Sequence, residues 1–186
     1  MNFIKTQPDQ NLTMDKLRNI KLDWGKTLLR LNYTAEMGYV ETSKGTKVEA
    51  AKLLQNTLKI ELYNGDTGAT IIKPKEFYDQ FRFDISFNCF GYCFADSKVF
   101  IPNPTAFILD DYEEVPFEEA ELILFKEYQG YNDNGEEMFI YSHAVKILLN
   151  GNVSFKPGIN PLIENIEREK AIHTYNFNHE IYLKKK

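Results

Sequence analysis

Two turn sequences between residues 121 and 156 constrain the fold more than any other feature of this chain. Asn150-Gly151 is a strong hairpin signal, because both residues tolerate the positive φ angles of a type I′ turn. Asn132-Asp133-Asn134-Gly135 is a second turn sequence, and it separates two predicted strands, 121–131 and 137–149. The neighbours predicted across the Asn150-Gly151 loop are Leu148 with Val153 and Lys146 with Phe155. We therefore predict a three-stranded meander over residues 121–156.

Alternating apolar side chains predict further strands elsewhere in the chain. These strands cover about residues 26–34, 57–63, 69–73 and 81–87, with a final strand near 175–183. Pro74 suits the first turn of a short helix that continues through Gln80. Before residue 26 the pattern is mixed: Ile20, Leu22 and Trp24 alternate as in a strand, whereas Thr13 is also able to cap a short helix.

Two more helices are predicted from the sequences at their N-termini. Thr46-Lys47-Val48-Glu49 has the form of a capping box, in which the threonine hydroxyl and the glutamate each satisfy a free backbone amide. Apolar residues follow it at helical spacing, so this helix covers about residues 46–56. Asn160-Pro161 begins the other helix, with asparagine as the N-cap and proline in the first turn.

The length of the chain favours a single domain. A chain of 186 residues buries enough surface to fold without a metal or a disulfide. We predict one domain over residues 1–186, with a loose N-terminal leader of about residues 1–11. The fold class is α+β, mainly an antiparallel sheet that includes the meander near 121–156, with two or three packed helices.

Charge and hydropathy limit the partners that are expected. The formal charge of −5 argues against direct nucleic-acid binding, because a phosphate backbone requires a basic surface. The N-terminal sequence has no apolar segment of signal-peptide length, and no apolar run approaches the roughly 18 residues of a membrane span. We therefore expect a cytoplasmic protein without a membrane partner. The sequence leaves its oligomeric state open.

No sequence motif predicts catalysis or a cofactor. The chain has no glycine-rich phosphate loop, no nucleophile elbow and no HExxH sequence. Cys93, His143 and Asp96 are able in principle to form a nucleophile, a base and an orienting acid, but a chain of this size contains such a set by chance. The spacing of Cys89 and Cys93 fits neither a zinc site nor a thioredoxin-type motif. We predict no catalytic residue, no metal site and no cofactor.

The acidic run, residues 110–121, is the strongest candidate for a functional surface. Seven of its twelve residues are carboxylates and none is basic. Such a run is often only a solvated loop, but it also steers a basic partner electrostatically, and flanking aromatic residues supply anchors. The predicted partner-binding residues are Asp110, Asp111, Tyr112, Glu113, Glu114, Phe117, Glu118, Glu119 and Glu121.

Three functions are compatible with these features. The favoured hypothesis is a non-catalytic acidic inhibitor of a basic nucleic-acid-handling or toxin enzyme, such as an immunity protein or a phage-encoded nuclease blocker. A second is a ligand-binding or hydrolytic domain, in which the aromatic segment 81–107 lines a pocket and His143 or Asp96 supplies the polar group. A third is a structural subunit that assembles through exposed strand edges.

Overall fold

Two antiparallel β-sheets and several short helices form the part of the chain that the computed structural model describes, residues 1–17, 27–172 and 179–186. The strands are β1 (Ile4–Lys5), β2 (Gln10–Leu17), β3 (Thr27–Glu41), β4 (Lys47–Asn64), β5 (Thr70–Ile71), β6 (Tyr112–Glu114), β7 (Leu122–Tyr131), β8 (Glu137–Ile147), β9 (Val153–Phe155), β10 (Ile163–Ile166) and β11 (His179–Lys185). The helices are α1 (Lys75–Asp79), α2 (Cys89–Phe94), α3 (Thr105–Asp111) and α4 (Arg168–Ile172), with a 3₁₀ turn at Phe117–Glu119. The predicted α+β class with mainly antiparallel sheet is confirmed.

The first sheet is built around β3 and β4, which pair from Thr27 with Asn64 to Glu41 with Lys47. Its order is β1-β3-β4-β5, and β2 also pairs with β3. Leu29 and Leu31 of β3 are fully buried, while the residues between them are only partly buried. Full burial of each leucine stabilises the fold by roughly 1.5–3 kcal/mol, so this alternation determines which face of the sheet packs on the core.

The second sheet has the strand order β10-β9-β8-β7-β11-β6, and all its neighbouring strands are antiparallel. The predicted meander, β7 to β9, lies at its centre and is confirmed. Leu122 and Leu124 of β7 pack into one core, and Ile123 and Phe125 pack into another. Both faces of this sheet are therefore covered where β7 begins.

The loop between β8 and β9 is one residue longer than predicted, which changes the register of these strands. The Leu148 amide donates to the Asn152 carbonyl at 2.8 Å, and the Gly151 amide donates to the Leu148 carbonyl at 2.9 Å. Gly151 has a φ of 80°, as expected for the left-handed residue that follows a type I turn in a three-residue loop. The observed neighbours are Ile147 with Val153 and Val145 with Phe155.

The helix predicted for residues 46–56 is wrong, because this segment is the first part of β4. Gly45, with a φ of 81°, closes a hairpin loop immediately before it. Val48 and Ala50 are buried and Glu49 is exposed, which is the alternation of a strand. Pairing with the long strand β3 overrides the local capping-box sequence.

The strand predicted for residues 81–87 is also wrong, although its apolar alternation is real. Phe83 and Ile85 are buried, but this segment is irregular backbone. The side chain of Gln55 occupies the place of a neighbouring strand. Its Nε2 donates to the Phe83 carbonyl at 2.9 Å, and its Oε1 accepts from the Ile85 amide at 2.8 Å.

A strand replaces the helix predicted to begin at Asn160-Pro161. β10 pairs with β9, and the helix α4 begins only at Arg168. The Ser154 hydroxyl donates to the Ile163 carbonyl at 3.0 Å, which adds to this pairing. The free edge of β9 therefore determines the conformation of a segment whose local sequence favours a helix.

The other predicted elements fall in three groups. Pro74 precedes α1 as predicted, and the strands predicted for 57–63 and 69–73 correspond to the end of β4 and to β5. The leader predicted to be loose at residues 1–11 instead contains β1 and the start of β2, both paired with β3. The predictions for Ile20, Leu22, Trp24 and residues 175–178 lie outside the described residues.

The helices α2 and α3 pack against both sheets in a central core. Its members include Val40 and Val48 from the first sheet, Phe90, Phe94 and Phe107 from the helices, and Leu122, Leu124 and Ala144 from the second sheet. Asn88 links α2 to the segment 99–101. Its Oδ1 accepts from the Gly91 amide at 2.9 Å and from the Ile101 amide at 3.0 Å, and its Nδ2 donates to the Ile101 carbonyl at 2.7 Å.

Candidate functional site

The two aspartates at the start of the acidic run are engaged inside the protein. The Thr42 hydroxyl donates to Asp110 Oδ2 at 2.6 Å, and the Ser43 amide donates to Asp111 Oδ1 at 2.9 Å. Bonding to the Thr42 and Thr46 side chains lowers the pKa of Asp110. Asp110 and Asp111 therefore attach the β3–β4 loop to the end of α3.

The two aromatic residues of the run are packed as well. Tyr112 meets the ring of Phe94 at a right angle, with 5.3 Å between centroids, and burial raises its pKa to about 12. Phe117 packs edge-on against Tyr182 at 5.3 Å, and the Arg168 guanidinium lies 4.7 Å from its centroid. Both rings stabilise the second sheet, so neither is an exposed anchor.

Five glutamates of the acidic run remain at the surface. They are Glu113, Glu114, Glu118, Glu119 and Glu121. The first two lie on β6, the edge strand of the second sheet, and the others lie on the 3₁₀ turn and just before β7. Lys184 lies opposite Glu113 on β11, and its Nζ is 3.8 Å from a Glu119 carboxylate oxygen. An exposed pair of this kind contributes only about 0–1 kcal/mol and leaves these carboxylates accessible.

A second exposed surface, which the sequence did not reveal, lies at the end of β7 and β8 that is nearest their connecting turn, beyond Lys126. We call residues 127–140 the hairpin tip. Tyr128, Tyr131, Met138 and Ile140 are between 41% and 63% exposed there. Strand alternation identifies which residues share a face, but it does not identify whether another element covers that face.

Cys93, His143 and Asp96 do not form a catalytic site. Cys93 packs with Leu124 and Ala144 in the central core, whereas His143 contacts the rings of Phe125 and Phe155 on the other face of the second sheet. Burial raises the pKa of the Cys93 thiol, which disfavours the nucleophilic thiolate. Asp96 lies at the surface beside the N-terminal amine, at 3.0 Å.

The buried His143 predicts a loss of stability in acid. Burial lowers its pKa from 6.5 to about 4, so the unfolded chain binds a proton between these pH values and the folded chain does not. We expect the free energy of unfolding to fall by up to about 3 kcal/mol between pH 6.5 and pH 4 through this residue. Urea denaturation at several pH values in this range measures the slope of the free energy of unfolding against pH. The variant His143→Phe is expected to lose the part of this slope that His143 contributes. Identical slopes in both proteins would contradict the prediction.

The aromatic segment 81–107 does not line a single pocket. Phe94 stacks on Phe107 at 5.8 Å, and Phe90 lies 6.5 Å from Phe94, all within the core. Phe100 lines a shallow apolar groove of about 210 Å³, whereas Phe94 and Asp96 both line a separate polar cleft of about 530 Å³. The aromatic residues of the segment are therefore divided between the core and separate clefts, and Phe94 is the ring that shares a cleft with Asp96.

Comparison of the chain with known protein families, with curated proteins and with solved structures finds no match. In the described residues, no three His, Cys, Asp or Glu side chains are grouped so that they could hold a metal ion. No helix in these same ranges has the length and apolar character needed to cross a membrane. The two exposed surfaces are therefore the candidates for a functional site.

Proposed function

We propose that this chain is a non-catalytic module that binds and inhibits a basic enzyme. The partner is a nucleic-acid-handling enzyme or a toxin. The module inhibits it in the manner of an immunity protein or a phage-encoded nuclease blocker. The observation that carries the proposal is the set of five exposed glutamates on and beside the edge strand β6. Carboxylates presented along an edge offer negative charge where a basic enzyme binds phosphates.

The proposal assigns the binding role to the exposed glutamates of the acidic run. Asp110, Asp111, Tyr112 and Phe117 support the surface from within, since each has its own partners inside the protein. Glu113, Glu118 and Glu121 are exposed, whereas the Glu119 carboxylate forms an ion pair with Lys184. Electrostatic attraction of this kind accelerates association and weakens as salt screens it.

The test is a triple charge reversal on this surface, Glu113→Lys with Glu118→Lys and Glu121→Lys. The matched control reverses three exposed glutamates elsewhere, Glu49→Lys with Glu76→Lys and Glu164→Lys, and it changes the net charge equally. Each protein is used to capture partners from lysate of the source cells, and the nuclease or toxin activity of the captured protein is then assayed with wild-type module added.

We expect the wild type and the control to capture a basic enzyme and inhibit it, with affinity that falls as salt rises. The triple reversal on the acidic run is expected to weaken binding at least about tenfold. Equal capture by all three proteins, or a captured protein whose activity the module does not change, would overturn the proposal. Circular dichroism of each variant verifies that the fold is retained.

A further inference from the structure

Exposed apolar side chains are concentrated at the hairpin tip. Among the described residues, four of the ten exposed large hydrophobic side chains belong to it. The other six are scattered along the chain from Met1 to Ile163. Met138 and Ile140 lie on one face of the hairpin, and Tyr128 lies on the other face, opposite Phe139. Tyr128 and Tyr131 contact each other, and a contiguous group of exposed apolar side chains marks a surface that binds something.

The rings at the tip hold one another in place. Tyr128 packs edge-on against Tyr131 and against Phe139, each at 5.8 Å between centroids, and Phe139 meets His179 at 4.9 Å. The turn is equally ordered, because Asn132 Oδ1 accepts from the amides of Asn134 and Glu136 at 2.9 Å. A surface of fixed tyrosines loses little conformational entropy on binding.

The charge of the tip indicates what it binds. Residues 127–140 contain four carboxylates and no basic residue: Glu127, Asp133, Glu136 and Glu137. Lys126, at the base of the tip, already lies 5.9 Å from the ring centroids of both Phe139 and Tyr141. Aromatic faces next to carboxylates attract cations. Arginine is suited to both groups, because its planar guanidinium stacks on aromatic rings and donates two parallel hydrogen bonds to a carboxylate.

We propose that the hairpin tip is a docking surface for an arginine-rich segment of a protein partner. The rings of Tyr128 and Tyr131 receive guanidinium groups, and Glu137, which pairs with Tyr131, and the carboxylates of the turn bind them. Binding of nucleic acid is disfavoured, because the four carboxylates of the tip repel its phosphates. Binding of a second copy of the tip is disfavoured by the same negative charge.

This surface is separate from the acidic run and does not depend on its function. β6 lies level with the start of β7, since Leu183 pairs with both Glu114 and Leu122. Tyr131 is at the other end of β7, roughly 30 Å away at the rise of a β-strand. Variants at one surface therefore leave the other intact.

The test measures binding of a nona-arginine peptide to the full chain by calorimetry and maps it by amide chemical shifts. The ring variant is Tyr128→Ser with Tyr131→Ser. A charge variant, Glu127→Gln with Asp133→Asn and Glu137→Gln, keeps the rings and leaves Glu136 bonded to Asn132. The triple reversal of Glu113, Glu118 and Glu121 is the control for the other surface.

We expect the largest shifts at residues 126–141 and smaller ones at the exposed glutamates of the acidic run, and affinity reduced about tenfold or more in both tip variants. The triple reversal of Glu113, Glu118 and Glu121 is expected to show the same peptide-induced chemical shift changes at the hairpin tip as the wild type. Three results would each overturn the proposal: no binding of the peptide, shifts centred on residues 110–121, or unchanged affinity in the ring variant. Tighter binding of oligothymidylate or of a neutral oligosaccharide at the tip, or self-association through it, would also overturn it in favour of that occupant.

Discussion

Replacing Lys156 by methionine is expected to lower the free energy of unfolding by about 2–4 kcal/mol. The Lys156 side chain is fully buried. Its Nζ donates to the carbonyl oxygens of Asp84 at 2.6 Å, Gly158 at 3.3 Å and Asn160, and the Asp84 carboxylate lies 3.7 Å away. Methionine fills a similar volume but leaves three partly buried carbonyls without this donor, and a buried group left unsatisfied costs about 1–3 kcal/mol.

Equilibrium denaturation in urea at pH 7 measures this loss. Lys98→Met is the matched control, because Lys98 is 60% exposed and its contact with Asp96 is a surface pair at 3.8 Å. That control is expected to cost less than about 1 kcal/mol. Equal losses in the two variants would mean that the buried ammonium contributes no more than a surface lysine.

Gly91→Ala is expected to destabilise the protein by at least about 3 kcal/mol, against the trend of helix propensity. A Cβ at this position would lie 1.8 Å from the Val99 carbonyl oxygen and 3.0 Å from its carbon. Asn88 holds these two backbone segments together, so they are unable to separate without breaking its hydrogen bonds. In an open helix the same change would stabilise by about 1 kcal/mol, so the sign of the effect is diagnostic.

Thermal and urea denaturation of Gly91→Ala are best compared with Gly151→Ala. Gly151 has open space around the position of a Cβ, and only its φ of 80° opposes an alanine. We expect that variant to cost about 1–2 kcal/mol. A neutral or stabilising Gly91→Ala would show that α2 and the segment 99–101 are not in the close contact described above.

Local sequence determines the meander at 121–156, because each strand and turn there depends on residues close in the chain. Local sequence does not determine the conformation of residues 46–56, because there the capping box at Thr46, which favours a helix, competes with pairing to β3 along the whole of β4. The register at Val153 was wrong by one residue, since Asn150-Gly151 fits a two-residue and a three-residue loop equally well. Distant pairing and loop length are therefore the two properties that the sequence left undetermined.

The candidate site shows the same division between local and distant information. The sequence identified the acidic run, but Asp111 bonds to Ser43, which lies 68 residues away in the chain. The sequence missed Tyr128 and Tyr131, because an aromatic residue on a strand looks the same whether its face is covered or bare. Which charges are engaged and which rings are exposed depends on the tertiary fold.

The position of β11 between β7 and β6 determines the order in which a nascent chain completes its two sheets. The strands of the first sheet are neighbours in sequence or nearly so, and they are able to pair soon after leaving the ribosome. The gap between β6 and β7 stays open until residues 179–185 have been synthesised. Until then the edges that β11 covers in the native fold have no partner strand, and unpaired strand edges are templates for aggregation.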